Sequence, residues 1–299
     1  MYPATFSVYL SRIEGHCDVY RAYAKINLGL YVIRKREDGY HDIETVFHRI
    51  DLFDQISLKK SAAISVTTTD PETPSAEGNI CFKAALLLQR HYGTTQGAEI
   101  AIRKAIPVGG GLGGGSSDAA TVLRELPRLW DFEYDPVAAR AMAFELGADV
   151  GYFLGRGSAL GRGRGEILSY FDLRLPWTIL LCNPRIHVPT AWAYRQMTPE
   201  AGRRVPDLRE LLNAALGEPA ILREYLRNDF EPVVFKAHPE ISAIRGTMVE
   251  AGALFASMSG SGSSVYGFFA DTEAAEELSA RFGRAGYSTS VTPPFFDPL

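Results

Sequence analysis

Cysteine is scarce in this chain: Cys17, Cys81 and Cys182 are the three in 299 residues, and no CxxC pair is among them. That spacing argues against a disulfide framework or a zinc site. Each thiol reads as a small apolar side chain, and a reducing, cytoplasmic setting is the expectation. No run of about 18 apolar residues exists, so no membrane span is expected. Met1 to Tyr20 carries Arg12, Glu14, His16 and Asp18 without a continuous apolar core, so it does not read as a secretory signal. Basic excess is missing too. Lys and Arg number 31 against 35 Asp and Glu, a formal charge of -4 that offers no field for nucleic acid. There is no internal repeat and no low-complexity tract. What remains is an ordinary globular composition, 46% hydrophobic and 22% charged, at a length that suits about two domains.

One stretch is far from ordinary. Pro107 to Asp118 reads PVGGGLGGGSSD, with Gly109, Gly110, Gly111, Gly113, Gly114 and Gly115 interrupted only by Leu112. Ser116 and Ser117 follow, and then a helical pattern through Ala119, Ala120, Val122, Leu123 and Leu126. Upstream, Glu99 to Ile106 alternates like a strand. The order strand, glycine loop, helix suits a phosphate cradle. Glycines admit positive φ and close approach to backbone N–H groups, and a helix N-terminus adds unpaired donors and a positive dipole end. A flexible linker would be longer and would not lie between a strand and an amphipathic helix. No Gly-Lys-Ser/Thr closes the loop, so it is not a Walker A motif. Gly109, Gly111 and Gly114 fit GxGxxG, but no acidic residue ends a second strand at the dinucleotide distance.

Ahead of the loop, Ala22 to Arg34 alternates with Ile26, Leu28, Leu30 and Val32 on one face, a strand by its period of two. Lys25 and Asn27 lie on the opposite face, which on pattern alone reads equally as solvated. Arg34 to His41 is a turn around Asp38-Gly39, with Tyr40 and His41 opening the next element. Ile43 to Ile50, Asp54 to Leu58 and Ile64 to Thr69 read as strands. Asn79 reads as the N-cap of a helix ending near His91. After the loop, a helix from about Ser117 is expected to end or kink at Pro127. Pro136 to Leu146 is a further helix closed by Gly147. Asp149, in GADVGYFLG, reads by pattern as a cap at a turn. Ser158 to Gly165 reads as a glycine-rich turn.

From Trp177 the composition shifts. Thr178 to Cys182 is a buried strand followed by a loop, Pro184 to Thr190. Helices are expected at Asp207 to Leu216, Ala220 to Leu226, Pro239 to Ala251 and Glu273 to Phe282. Phe255 to Ser264 reads as a small-residue loop, and Val265 to Ala270 and Ser288 to Thr292 as strands. Helices and strands in this mixture fit a small α+β sandwich.

Three separated stretches together resemble the GHMP kinase superfamily: AYAKINLGL around Lys25, PVGGGLGGGSSDAA from Pro107 to Ala120, and SMSGSGSSVYGFF from Ser257 to Phe269. REDGYH (Arg36 to His41), the Asn79-Ile80 helix start, GADV (Gly147 to Val150) and NPRIHVPT (Asn183 to Thr190) narrow the likeness to the branch that phosphorylates a cytidine-diphosphate-linked methylerythritol. The resemblance implies an α+β, two-domain GHMP kinase fold. Its parts would be a ribosomal-protein-S5-like nucleotide domain over residues 1–175 and a ferredoxin-like α/β sandwich over 176–299, with ligands in the cleft between them.

It also implies a reaction: transfer from ATP to the 2-hydroxyl of that small-molecule substrate, a step of non-mevalonate isoprenoid biosynthesis. Lys25 and Asp149 match the family's catalytic pair, and Pro107, Val108 and the glycines through Ser116 and Ser117 match its ATP loop. Tyr40 and His41 match its cytidine-binding residues, and Asn27 and Thr190 its substrate-side contacts. Phosphoryl transfer is mostly positioning and charge stabilisation. Loop N–H groups would hold the triphosphate, Asp149 would take the acceptor's proton, and Ser116 or Ser117 could ligate Mg²⁺. Where the family usually has proline, Gly151 follows GADV, a change expected to loosen the turn holding Asp149. Two other readings stand beside this one. The first is a superfamily kinase for homoserine, mevalonate or galactose, against which REDGYH argues. The second is a non-catalytic nucleotide sensor, against which Lys25, Asp149 and both serines argue.

Overall fold

Two long strands set the architecture of the N-terminal half. The structure, a computed structural model, describes residues 18–74, 76–199 and 203–298. The expectations for the first seventeen residues, Cys17 included, lie outside the described residues. β1 (Asp18–Lys35) and β2 (His41–Ser61) pair antiparallel across the Asp38-Gly39 turn. Gly39 takes φ 84°, the left-handed region that this turn requires. β1 starts four residues earlier than its alternation suggests. The two strands expected at Ile43 to Ile50 and Asp54 to Leu58 are one 21-residue strand.

β1 lies along one edge of β2. Along the other edge, β4 (Gly97–Arg103) takes the C-terminal half and β5 (Ser158–Arg162) the N-terminal half, after β3 (Ser65–Thr68) has been laid parallel to β4. β6 (Ile167–Phe171) completes the sheet beside β5. The first five residues of SALGRGRG, Ser158–Arg162, were therefore misread as a turn, and residues 163–165 are one. Gly161 fits a strand because a Cβ there would meet the Phe47 ring at 2.5 Å, so glycine answers a close approach across the sheet rather than a bend. α1 (Ile80–Tyr92), α2 (Gly114–Leu129), α3 (Pro136–Leu146) and the short α4 (Val150–Leu154) cover this sheet. Asn79 caps α1 as expected, accepting from the Cys81 amide at 2.8 Å. Pro127 neither ends α2 nor stops it early. It lies in the last turn, and the helix runs two residues further before Trp130 turns inward to donate to the Gly97 carbonyl.

The second sheet has the order β10-β7-β9-β8, all antiparallel, from β7 (Thr178–Asn183), β8 (Phe255–Met258), β9 (Val265–Phe269) and β10 (Ser288–Thr292). Between β7 and β8 run α5 (Thr190–Arg195), α6 (Leu208–Gly217), α7 (Ala220–Tyr225), α8 (Glu231–Ala237) and α9 (Pro239–Glu250). α10 (Thr272–Arg284) follows β9. The first half of the expected loop Phe255 to Ser264 is thus a buried strand. One sheet face packs on α9 and α10 through Ile241, Ile244, Met248, Leu278 and Phe282. The other packs on the first sheet: Ile179, Leu181, Tyr266 and Phe268 share a core with Ile26, Leu28 and Ile50. The chain after α7 also reaches back along β1, where Leu30 bonds Arg227 and Asp229 through its backbone.

Candidate active site

The glycine loop leaves the end of β4 and enters α2, and its backbone shows why side chains are absent. Gly109, Gly111 and Gly113 have φ of 68°, 75° and 69°, alternating with residues that are not at positive φ. Such alternation turns successive N–H groups toward one point, a concave anion site. Leu112 is buried and anchors the loop, and its carbonyl accepts from the Lys25 amide at 3.0 Å. Gly113 is the N-cap of α2, and the first bond back to it comes from Ser117 N. The amides of Gly114, Gly115 and Ser116 therefore begin a sixteen-residue helix with no intrahelical partner. They face a cavity of about 380 Å³ that the loop shares with Asn79, Ile80, Lys104 and Asp118.

Pro107 to Ser116 all line that cavity, but Ser117 does not. Its hydroxyl is buried and donates to the Tyr23 carbonyl at 2.7 Å. As a metal ligand Ser117 is corrected on that ground, and Ser116, half-buried in the lining, is the serine left open.

Lys25 and Asp149 come together, though the chain separates them widely. A register shift between Tyr23 and Lys25 resets the face of β1, and Lys25 is buried with its ammonium inside the molecule. Nζ donates to Asn27 Oδ1 at 2.7 Å and to the Gly111 carbonyl at 3.0 Å, and lies 3.4 Å from Asp149 Oδ2. Three donors thus meet three acceptors, one of them in the glycine loop. Asp149 stands at the N-cap position of α4, yet its side chain makes no cap bond and is one-third exposed. Side chains from β2 and β6 bond the carbonyls of the turn that carries Gly151. The Tyr170 hydroxyl lies 3.0 and 2.9 Å from the Gly151 and Tyr152 carbonyls, which share its one proton. At the other end, the buried Arg49 guanidinium holds the Phe153 and Gly155 carbonyls.

Asn27 is not free to face a substrate. It is buried, Oδ1 accepts from Lys25 and Nδ2 donates to Thr45 Oγ1 at 3.0 Å, so its contact is with the lysine. Thr190 opens α5, and its hydroxyl lies 2.9 Å from Ser261 Oγ. Ser259 of the same small-residue segment donates to the Gly111 carbonyl, and Ser264 N to Gly110.

Tyr40 and His41 part company. Tyr40 is exposed, with the Arg164 guanidinium 4.8 Å from its ring centroid and 5.6 Å from that of Phe144. His41 is buried, stacks on Tyr194 with centroids 5.0 Å apart, and has no partner at Nε2. Burial, and then the charge of Lys35, lower its pKa, so the ring is neutral above its ordinary 6.5. Burial first, and then the nearby charge of Asp149, push the Tyr194 phenol up to about 12. Tyr194, a site residue the sequence reading missed, thus stacks on His41 and feels the charge of Asp149. Its signal was an aromatic four residues after Thr190, on the same side of a helical turn.

Known proteins resemble this chain over most of its length. A family model described as GHMP kinases N terminal domain matches residues 79–157, and one described as GHMP kinases C terminal matches 208–288. A protein of Chlorobium limicola named 4-diphosphocytidyl-2-C-methyl-D-erythritol kinase is 43% identical over 279 residues, spanning 92% of this chain and 96% of that one. A crystal structure of a 4-(cytidine 5'-diphospho)-2C-methyl-D-erythritol kinase superposes with TM-score 0.77 at 35% identity, covering 92% of this chain and 98% of that chain. The homoserine kinase of Cytophaga hutchinsonii, at 18% identity and TM-score 0.67 over 97% of this chain and 98% of that chain, shares the fold.

Proposed function

The chain belongs to the 4-diphosphocytidyl-2-C-methyl-D-erythritol kinases of the GHMP superfamily, and on that premise we propose which residues carry the reaction. It is an ATP-dependent small-molecule kinase that phosphorylates this substrate for isoprenoid biosynthesis, with the 2-hydroxyl as acceptor in our reading. The observation that carries the assignment is the position of Lys25, 3.0 Å from the loop carbonyl of Gly111 and 3.4 Å from Asp149.

The free amides at the start of α2 bind the triphosphate in the cavity. Asp149 accepts the proton of the attacking hydroxyl, the role its uncapped, partly exposed carboxylate suits. Lys25 stands at the joint of the two sites. It keeps Asp149 oriented and supplies positive charge where the transferring group develops negative charge. Asn27 and Gly111 fix the ammonium so that this charge needs no reorganisation. The cytosine ring is recognised among Tyr40, His41 and Tyr194, with His41 Nε2 as the open hydrogen-bonding atom, and Thr190 lies on the substrate side.

Mg²⁺ fits this site as an ion carried mainly by phosphate. Among the described residues no three His, Cys, Asp or Glu are clustered to cage a metal, whereas Ser116 is open beside the loop. Ser116 would hold the ion on the protein side, and the ion would supply positive charge against the phosphates. The division of labour between residues 1–175 and 176–299 belongs to the same proposal. Among the described residues no helix is long and apolar enough to cross a membrane. The two described cysteines, Cys81 and Cys182, are free and buried, which supports a reducing cytoplasm.

ADP release measured with the cytidyl substrate, homoserine, mevalonate and galactose tests the reading. Turnover with the cytidyl substrate alone is expected. Comparable turnover with another alcohol, or none with any, would overturn it.

A further inference from the structure

One rung of the first sheet carries two cations, and the reaction as proposed uses only one of them. Lys25 of β1 and Arg49 of β2 are directly paired in the antiparallel ladder, so both side chains leave the same face. Lys25 lies 3.4 Å from Asp149, at the N-terminal end of α4. Arg49 grips the opposite end of the same helix. Its Nη2 donates to the Phe153 carbonyl at 3.0 Å and to the Gly155 carbonyl at 2.9 Å. The side chain is buried, the guanidinium lies 5.3 Å from the Tyr152 ring centroid, and among the described residues Nη1 has no hydrogen-bond partner.

α4 does not hold itself. Its five residues are too few for a helix that is stable alone. Asp149 gives it no side-chain cap, and it contains Gly151, the poorest helix former after proline. Its last carbonyls have no partner within the helix, and a cation placed there also meets the negative end of the helix dipole. Arg124 of α2 reaches the Phe153 carbonyl only at 3.5 Å, the limit of a hydrogen bond. Tyr170 serves the carbonyls of Gly151 and Tyr152 from an exposed ring. An apolar side chain would fill the place of Arg49 at less cost, because a buried guanidinium gives up its hydration. The arrangement is poor as a source of stability and well suited to fixing a position. With one end tied to Arg49 and the other against Lys25, α4 cannot slide or turn without breaking a contact to that rung.

We infer that Arg49 is a positioning residue for phosphoryl transfer, holding α4 so that the Asp149 carboxylate stays against Lys25 and meets the acceptor hydroxyl. Arg49 does not line the cavity beside the glycine loop, so nucleotide affinity does not depend on it. This rests on the reading of Asp149 as the base.

Turnover of Arg49→Met, alone and combined with Asp149→Asn, tests it. Methionine keeps the apolar stem and removes the donors. A misplacement of about 1 Å costs up to about a hundredfold in rate, so kcat is expected to fall at least about tenfold. KM for ATP is expected to stay within about twofold, since only the reacting geometry has changed. In the Asp149→Asn background the same change is expected to cost less than about twofold, because the group it positions is already gone. A merely structural role would act alike in both backgrounds. Arg49→Lys keeps the charge without the planar fork and is expected to lie between wild type and Arg49→Met. It decides the question if circular dichroism shows Arg49→Met unfolded. Near-normal kcat in the folded Arg49 variant, or equal losses in the two backgrounds, would overturn the inference. If Asp149→Asn alone turns over near-normally, the parent reading fails. If Asp149→Asn is impaired while the Arg49 variant is not, only the role of Arg49 fails.

Discussion

Four aspartates stand at helix N-cap positions, and three of them cap. Asp135, Asp207 and Asp271 each accept a backbone amide two or three residues on. Asp149 makes no such bond and turns to Lys25 instead. The pattern reading of Asp149 as a cap was right about its position and wrong about its carboxylate. At the same scale, His41 and Tyr194 carry the prediction on substrate choice. Stacking on an aromatic contributes roughly 1–3 kcal/mol per base. Tyr194→Leu is therefore expected to raise KM for the cytidyl substrate about fivefold to a hundredfold and to leave KM for ATP alone. His41→Ala is expected to do the same and to narrow the preference over a uridyl analogue, because an unpaired polar atom no longer penalises the wrong base. Steady-state kinetics with both substrates varied checks both. A loss confined to ATP would move the cytosine site elsewhere.

The glycine loop was the most legible element, because six glycines have a physical cause that sequence states directly. Positive φ at Gly109, Gly111 and Gly113 excludes other residues cheaply, and the helix after the loop follows from its apolar period. Its second duty was not legible. A Cβ on Gly111 would meet the Ser259 carbonyl at 2.2 Å, whereas one on Gly115 would find Ile80 Cγ2 at an ordinary 3.8 Å. Gly111→Val is thus expected to lose both ATP affinity and thermal stability, since it forces the loop off the second sheet's Ser-Gly segment. Gly115→Val is expected to keep the melting temperature and weaken ATP at least about tenfold, the scale of one lost charge-assisted hydrogen bond. Calorimetry paired with thermal melting separates the two. Equal affinity in Gly115→Val would place the phosphates elsewhere. β5 and β8 were misread for one reason. Glycine, serine and alanine mark loops by composition, but here they answer close packing that only the tertiary structure reveals, as where Gly161 meets Phe47. Tyr194 was lost with α5.

At the scale of the molecule, the two sheets share one apolar core, and Ser259 of the second half bonds the Asn27 amide and the Gly111 carbonyl, both beside Lys25. Neither the spacing nor the neighbours of Lys25 and Asp149 announce their contact, and only the resemblance to known kinases joined them in advance. The buried titratable groups give the whole fold a testable acid response. His48 is neutral in the fold, its imidazole lowered by burial and then by Arg49 from 6.5 to about 4. The stability it contributes is present above pH 6.5 and is lost as pH falls toward 4. Asp118, raised from 3.8 to about 7, acts oppositely: its contribution is full below 3.8 and is lost as pH rises through 7. In urea titrations from about pH 6.5 down to about pH 4.5, the two slopes therefore offset in the wild type. His48→Gln is expected to gain stability relative to wild type toward acid, and Asp118→Asn to lose it, each by about 1.4 kcal/mol per pH unit. Identical slopes in all three proteins would show that neither group is held in the stated form. The central claim is that Asp149, which the fold brings to 3.4 Å from Lys25, is the base of phosphoryl transfer. Turnover of Asp149→Asn with ATP and the cytidyl substrate tests it most directly. A fall of about a hundredfold or more in kcat, with unchanged nucleotide affinity and melting temperature, is the predicted result. A folded variant that turns over at a near-normal rate would contradict it.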